Sequence, residues 1–248
     1  RVVVAGLLGS LLVPVVGITA PQNLQTANAA VSNGSISVPN SGALRINWAQ
    51  SLSLLGVTFE TYVNFTSIAG RNGIFASCYQ AAPDGACQAW SQALRLTWLS
   101  SGAFNLAVND FNGDAGCTVN YTAPVTNTWY HIALSVPTAA NFVSASSIIF
   151  VNGQEAGRCT FTMRTDQGPI RSVALGGDGN SAGVTKVNFG PTRISNTQRY
   201  TSTFSPLQTF PTSGDASTWA VLNTPFDSDN PTSCTAISDP NSRGVALT

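Results

Sequence analysis

His131 is the single histidine of the 248 residues, so any Ser-His-Asp nucleophilic triad would have to be built on it. It stands in the middle of the run Trp129–Val136 (WYHIALSV), on the same side as Trp129, and reads as a structural residue of a strand. Glycoside hydrolysis needs two carboxylates flanking one bond. The chain has two glutamates, Glu60 and Glu155, far apart in sequence, and no Asp/Glu pair at strand spacing in any strand-like run. Asp227-Ser228-Asp229 has that spacing but lies in a polar tail. No catalytic residue is therefore assigned.

Binding chemistry has more candidates. Asp110, Asn112 and Asp114 place side-chain oxygens at alternate positions, as at the start of a calcium loop. The closing glutamate is missing, since position 121 is tyrosine, and a plain hairpin turn is the competing reading. Trp90, Trp98, Tyr121 and Tyr130 would stack on sugar rings if exposed on a groove; aromatic residues in strands are more often core. The stretch Gly176 to Gly183 is glycine-rich but lacks the Lys-Ser/Thr of a phosphate loop, so a rim loop is expected.

Covalent chemistry points outside the cell. Five cysteines allow two disulfides and leave one over. Cys78 and Cys87 bracket a loop with Pro83, Asp84 and Gly85, which suits a closed hairpin. Cys117 and Cys159 sit in two strand-like runs, CTVNY and CTFTM, and suit a cross-strand bridge. Cys234 is then free or pairs with another chain. Asn33, Asn64 and Asn120 each open an Asn-x-Ser/Thr sequon. Together these favour an oxidising compartment: extracellular, cell surface or virion surface, or an organelle lumen.

The elements that must hold these groups are strands. Trp129–Val136 alternates, with Tyr130, Ile132, Leu134 and Val136 on one face, which predicts a half-buried strand. Val57, Phe59, Thr61 and Val63 alternate likewise against Thr58, Glu60, Tyr62 and Asn64. Ser147–Val151 ends in Asn152-Gly153, the strongest hairpin signal. Further runs lie at 44–48, 73–79, 93–99, 104–108, 159–163, 172–177, 186–194 and 218–223. No run keeps a helical period, and turn signals recur about every ten residues. An all-β sandwich is expected over residues 36–224, with an apolar segment and linker at 1–35 and a polar tail at 225–248.

Composition narrows the class. At 43% hydrophobic the chain can fill a large core, and only 9% of residues are charged, against about 25% in an ordinary domain. Basic and acidic residues balance at 11 each, so no nucleic-acid surface is expected. Residues 2–20 carry no charge. They read as a secretory or membrane-contacting segment, or as strands covered by a partner.

The order TFETYVNF (58–65), WYHIAL (129–134), FVNG (150–153), LGG (175–177) and VNFGPTRIS (187–195) resembles the laminin-G-like branch of the concanavalin A-like lectin/glucanase superfamily. RYTSTFSP (199–206), TFP (209–211) and WAVLN (219–223) resemble a closing segment of lectin-like domains. The resemblance implies a jelly roll of two antiparallel sheets with a concave face and loops that bind sugars or proteins. It also implies that a calcium ion is a candidate cofactor on the 110–114 loop. The glucanase branch places its carboxylates as Glu-x-Asp-x-Glu on one strand, and that pattern is absent. The expected function is a non-catalytic lectin-like binding or adhesion module whose partner is a glycan or glycoprotein. The alternative is a structural subunit that packs against neighbouring subunits of an assembly, with a glycoside hydrolase third.

Overall fold

A computed structural model describes residues 36–38, 44–53, 55–68, 70–79, 92–110, 113–138, 144–162, 170–176, 187–207, 215–222, 237–238 and 246–247. The expectations for residues 1–35, and for Trp90, Cys87, Asn112 and Cys234, lie outside them.

Fifteen strands are present among these residues: β1 (Ile36–Val38), β2 (Leu44–Leu52), β3 (Val57–Phe65), β4 (Arg71–Tyr79), β5 (Gln92–Leu99), β6 (Ala103–Asp110), β7 (Gly113–Asn120), β8 (Trp129–Val136), β9 (Ser144–Val151), β10 (Gln154–Thr162), β11 (Ile170–Leu175), β12 (Val187–Ser195), β13 (Thr218–Leu222), β14 (Ile237–Ser238) and β15 (Ala246–Leu247). They form two sheets in which every pairing is antiparallel. The first runs β10-β9-β8-β3-β12-β13-β14, with β1 also on β12. The second runs β15-β2-β11-β4-β5-β6-β7. Two short pieces of the C-terminal stretch thus join the sandwich, β14 on β13 and β15 on β2.

The turns follow local chemistry. Asn152 and Gly153 both have positive φ, 51° and 77°, and close the β9–β10 hairpin. Gly102 at φ 96° turns β5 into β6. Pro191 lies within β12 where its pairing with β3 shifts register, between Phe189 and Thr192. A proline, which has no N–H for the ladder, is tolerated at such an irregularity.

Between the sheets lies one core. Phe59 of β3 stacks on Phe75 of β4 with ring centroids 4.9 Å apart. Trp219 of β13 meets Trp48 of β2 edge-on at 6.1 Å, and Phe65 of β3 meets Trp98 of β5 at 5.9 Å. Burying each such ring is worth about 1.5–3 kcal/mol. The Trp48 indole N–H, which would otherwise be orphaned inside, donates to the Ile170 carbonyl at 3.0 Å.

One expectation changes. The alternation of β3 and β8 predicts a wet outer face, yet Thr58, Glu60, Tyr62, His131, Ala133 and Ser135 are all buried. The cause is the segment 196–207, which follows β12 and lies as a strap across the outer face of the first sheet. Thr58 donates to the Thr197 carbonyl at 2.8 Å, Ser135 to that of Tyr200 at 2.7 Å, and Tyr62 to that of Leu207 at 3.0 Å. Tyr200 and Phe204 stack in parallel at 3.5 Å, and Phe204 meets Phe150 and His131 edge-on. The small polar outer residues of β3 and β8 are hydrogen-bonding points for this second, minor core.

Candidate functional site

Two sites collect chemistry-bearing side chains, and they lie on opposite outer faces. The first is beneath the strap. Arg193 on β12 sits directly opposite Glu60 on β3 and donates through Nε to Oε1 at 2.7 Å. Tyr200 donates its hydroxyl to Glu60 Oε2 at 2.9 Å and accepts from Arg193 Nη2 at 2.9 Å. His131 Nε2 lies 3.3 Å from the same Oε2, while its Nδ1 is buried without a hydrogen-bond partner. The tautomer with the proton on Nε2 fits this geometry, because it puts a donor on the carboxylate and leaves only a lone pair unmet.

Burial alone would raise the pKa of Glu60. The hydrogen bond from His131 and the charge of Arg193 outweigh it, and the carboxyl is held below its ordinary range. Glu60 and His131 side chains have no access to solvent. The cluster is closed over, and apart from the His131 Nδ1 lone pair its members satisfy one another.

The second site is open. On the outer face of the second sheet, a groove of about 720 Å³ is lined by Gly70, Arg71, Arg95, Leu99, Asn105, Ala107, Gly116, Cys117 and Thr118. The alternation of β5 explains its chemistry. Leu94, Leu96 and Trp98 enter the core, so Arg95, Thr97 and Leu99 face out. One transverse row crosses six strands in register: Arg45 (β2), Ala174 (β11), Ala76 (β4), Arg95 (β5), Ala107 (β6) and Gly116 (β7). Small residues keep the floor low between the arginines. In the next row, Gly73, Thr97, Asn105 and Thr118, the lining residues Asn105 and Thr118 add an amide and a hydroxyl group. No carboxylate stands among the described residues that line the groove.

Cys117 ties this face to the other sheet. It is disulfide-bonded to Cys159 of β10, which is fully buried. The bridge joins β7, an edge of the second sheet, to β10, an edge of the first. Gly157 assists, since a Cβ there would strike the Val119 side chain.

Trp98, Tyr121 and Tyr130, the described residues read from the sequence as sugar-stacking, are not among those that line the groove. Trp98 is wholly buried, packed on Phe104 at 4.7 Å and on Tyr130 at 4.9 Å, with its N–H donating to the Thr122 carbonyl. Tyr121 and Tyr130 join the same cluster at the sandwich end, half-buried. Burial raises the pKa of Tyr121, with a smaller push from Tyr130. Asp110 pairs with Gly113 and Asn109 with Asp114 at the tip of the β6–β7 hairpin. A calcium ion there would need the side-chain oxygens of Asp110, Asn112 and Asp114, which lie outside the described residues. Of the sequons, Asn64 is partly buried on β3 with its Oδ1 shut from water, and Asn120 is exposed at the end of β7. Cys78 lies on β4.

Arg71 and Arg95 were missed in the sequence. The alternation of ALRLTWL puts Arg95 opposite three apolar residues, and that was the available signal. Nothing local joins it to Arg71, which comes from another strand.

No curated protein matches the chain. Among solved structures, the native heptameric SAP-like pentraxin from Limulus polyphemus is 13% identical, with a TM-score of 0.49 over 86% of this chain and 93% of that one. A mutant of HCR/D is 11% identical, with a TM-score of 0.46 over 67% of this chain and 40% of that one. No helix among the described residues is long and apolar enough to cross a membrane. The laminin-G model of the concanavalin A-like lectin/glucanases superfamily matches residues 32–206, and the chain belongs to that superfamily.

Proposed function

We propose that this chain is a non-catalytic, extracellular or surface-exposed binding module whose site is the groove between β4 and β7. The observation that carries this reading is the groove's lining. Asn105, Thr118 and two guanidinium groups surround a floor of alanine and glycine, with Leu99 as the apolar wall. Sugars need that mixture: donors and acceptors for hydroxyls, and an apolar surface for C–H faces. A glycan or a glycoprotein is the ligand class.

The placement of the two glutamates counts against hydrolysis. Glu60 is sealed under the strap and bound to Arg193, and Glu155 is paired with Arg158 on exposed β10. Neither faces the groove. The disulfide Cys117–Cys159 and the exposed sequon at Asn120 support an oxidising location.

The test is a broad glycan array probed with the full chain, followed by NMR titration of the best hit. Binding with shifts at Asn105 and Thr118 supports the reading. Absence of binding to every glycan, with and without calcium, overturns it.

A further inference from the structure

We infer that Asn120 carries an Asn-linked glycan, that Asn64 does not, and that the glycan covers the open edge of β7. This rests on the extracellular location proposed above and not on what the groove binds.

Accessibility separates the two sequons that lie among the described residues. Asn120 ends β7 and is exposed, Tyr121 turns inward, and Thr122 is exposed again. The acceptor amide and the hydroxyl that marks it as an acceptor therefore share one side of an extended chain. The other side is fixed to the core. The Tyr121 ring packs on Trp98 and Phe104, and the Thr122 carbonyl accepts the Trp98 indole N–H. A Cβ on Gly102 would strike the Tyr121 carbonyl oxygen, so the β5–β6 turn lies against the backbone of the sequon. Asn64 is placed the opposite way. It lies inside the first sheet, between Trp129 of β8 and Asn188 of β12, with its amide oxygen shut from water. A sugar on that amide would have to open the site around it.

The step is a group transfer. The bond from C1 of a lipid-linked oligosaccharide to its pyrophosphate breaks and C1 bonds to Asn120 Nδ2. The amide loses one proton to a base of the transferase, and the lipid pyrophosphate leaves.

The margins of the sheets are the second support. An unpaired strand edge is a template for another chain, and folds blunt it with short strands, charges, prolines or bulges. Here β1, β14 and β15 have two or three residues each. β10 carries Glu155 and Arg158 and a register shift between Glu155 and Gly157. β7, which ends the second sheet, has none of these devices. Its eight residues pair with β6 in unbroken register, with no proline and no charge beyond Asp114 at the hairpin tip. A bulky, hydrated glycan on its last residue supplies what the strand lacks.

The experiment secretes the full chain, behind a cleavable signal, from cultured mammalian cells. Asn64 and Asn120 are mapped by mass spectrometry after amidase release of glycans in heavy-oxygen water. The label is expected at 120 and not at 64. Thr122→Ala, which keeps the carbonyl that Trp98 uses, is expected to abolish the label at 120. Sedimentation velocity then compares the parent with Thr122→Ala and with Asn120→Gln at matched concentration. The parent is expected to sediment as a monomer and both variants to shift towards dimers and larger species. An unlabelled Asn120 or a labelled Asn64 in the secreted chain overturns the site. Equal sedimentation of the parent and the variants overturns the cover. Secretion is imposed in this experiment, so neither failure bears on the ligand of the groove.

Discussion

Arg193 and Glu60 face each other across the β3–β12 ladder, and Nε of the arginine lies 2.7 Å from Oε1 of the glutamate, with both side chains buried. A buried pair adds little over an apolar pair, but losing one member leaves the other uncompensated. Glu60→Gln is therefore expected to destabilise the fold by about 3 kcal/mol or more. Urea denaturation gives the value. Arg193→Gln should cost a similar amount, and the double variant much less than the sum, because the two positions form one unit. Additive losses would show that the two side chains act independently.

Acid should act on the same pair. The Glu60 carboxyl sits below its ordinary 4.5, and Asp215, hydrogen-bonded by Arg199 and Thr218, is likewise lowered. A lowered folded pKa means that the unfolded chain binds the proton first. The stability from these groups is thus fully present above about pH 4.5 and is lost as pH falls through their folded values. Thermal unfolding followed from pH 7 to 2 should show a plateau and then a decline that Glu60→Gln flattens. Asp215 is exposed, so most of the decline belongs to Glu60.

Alkali tests the strap from the other side. Burial, helped by the charge of Glu60, pushes the Tyr62 hydroxyl up to about 12, and the same causes raise Tyr200. Raised values mean that the folded state holds these protons after the unfolded chain has released them. The corresponding stability is present below pH 10 and is lost as pH rises towards 12. Of the five tyrosines, these two should ionise only with unfolding when absorbance at 295 nm is followed. Smooth ionisation of all five near pH 10, with the fold intact, would show the strap to be open.

How much of this could be read from the chain depends on the range of the interactions. Asn152-Gly153 is a local signal, and the hairpin is where that dipeptide puts it. Cys117 and Cys159 were legible because each sits in a short run of strand-forming residues. Their bridge follows from β7 and β10 both ending up as edges. The strap was not legible. Residues 196–207 have no period, and their resemblance to a closing segment of lectin-like domains does not say what they cover. What fixes them are contacts such as Tyr200 to Glu60, 140 residues apart, which no window of sequence contains. The alternation of β3 and β8 predicted the inner face correctly and left the outer one to water, because nothing in either strand announces a cover. The groove was hidden for the same reason: its row of Arg95, Ala107 and Gly116 exists only once β5, β6 and β7 are in register.

The bridge between the sheets should be worth more than its surroundings. Cys117–Cys159 closes a span of 42 residues, and chain entropy for a loop of that size gives about 4 kcal/mol. Replacing both cysteines by serine should lower the unfolding free energy by 2–4 kcal/mol, within the usual range. Because Cys117 also lines the groove, the same variant should loosen the β7 wall and weaken any ligand bound there. A variant with unchanged denaturation midpoint would mean that the strand edges are held by packing alone.

Gly153 offers the sharpest single-residue test of the strap. Its φ of 77° already disfavours a side chain, and a Cβ would run into the carbonyl oxygen of Phe204. The Phe204 N–H donates to the Gly153 carbonyl at 3.0 Å, so the hairpin turn is also the strap's anchor. Gly153→Ala should cost more than the roughly 1 kcal/mol of φ strain, because the strap must lift to make room. Lifting it would wet Phe150 and the Glu60–His131–Arg193 cluster beneath. Limited proteolysis should then cut between residues 196 and 207 in the variant and spare the parent. Amide exchange should rise at Phe204 before it rises in β8. A variant that loses only the strain energy, with cleavage and exchange unchanged, would show that the turn and the strap are merely adjacent.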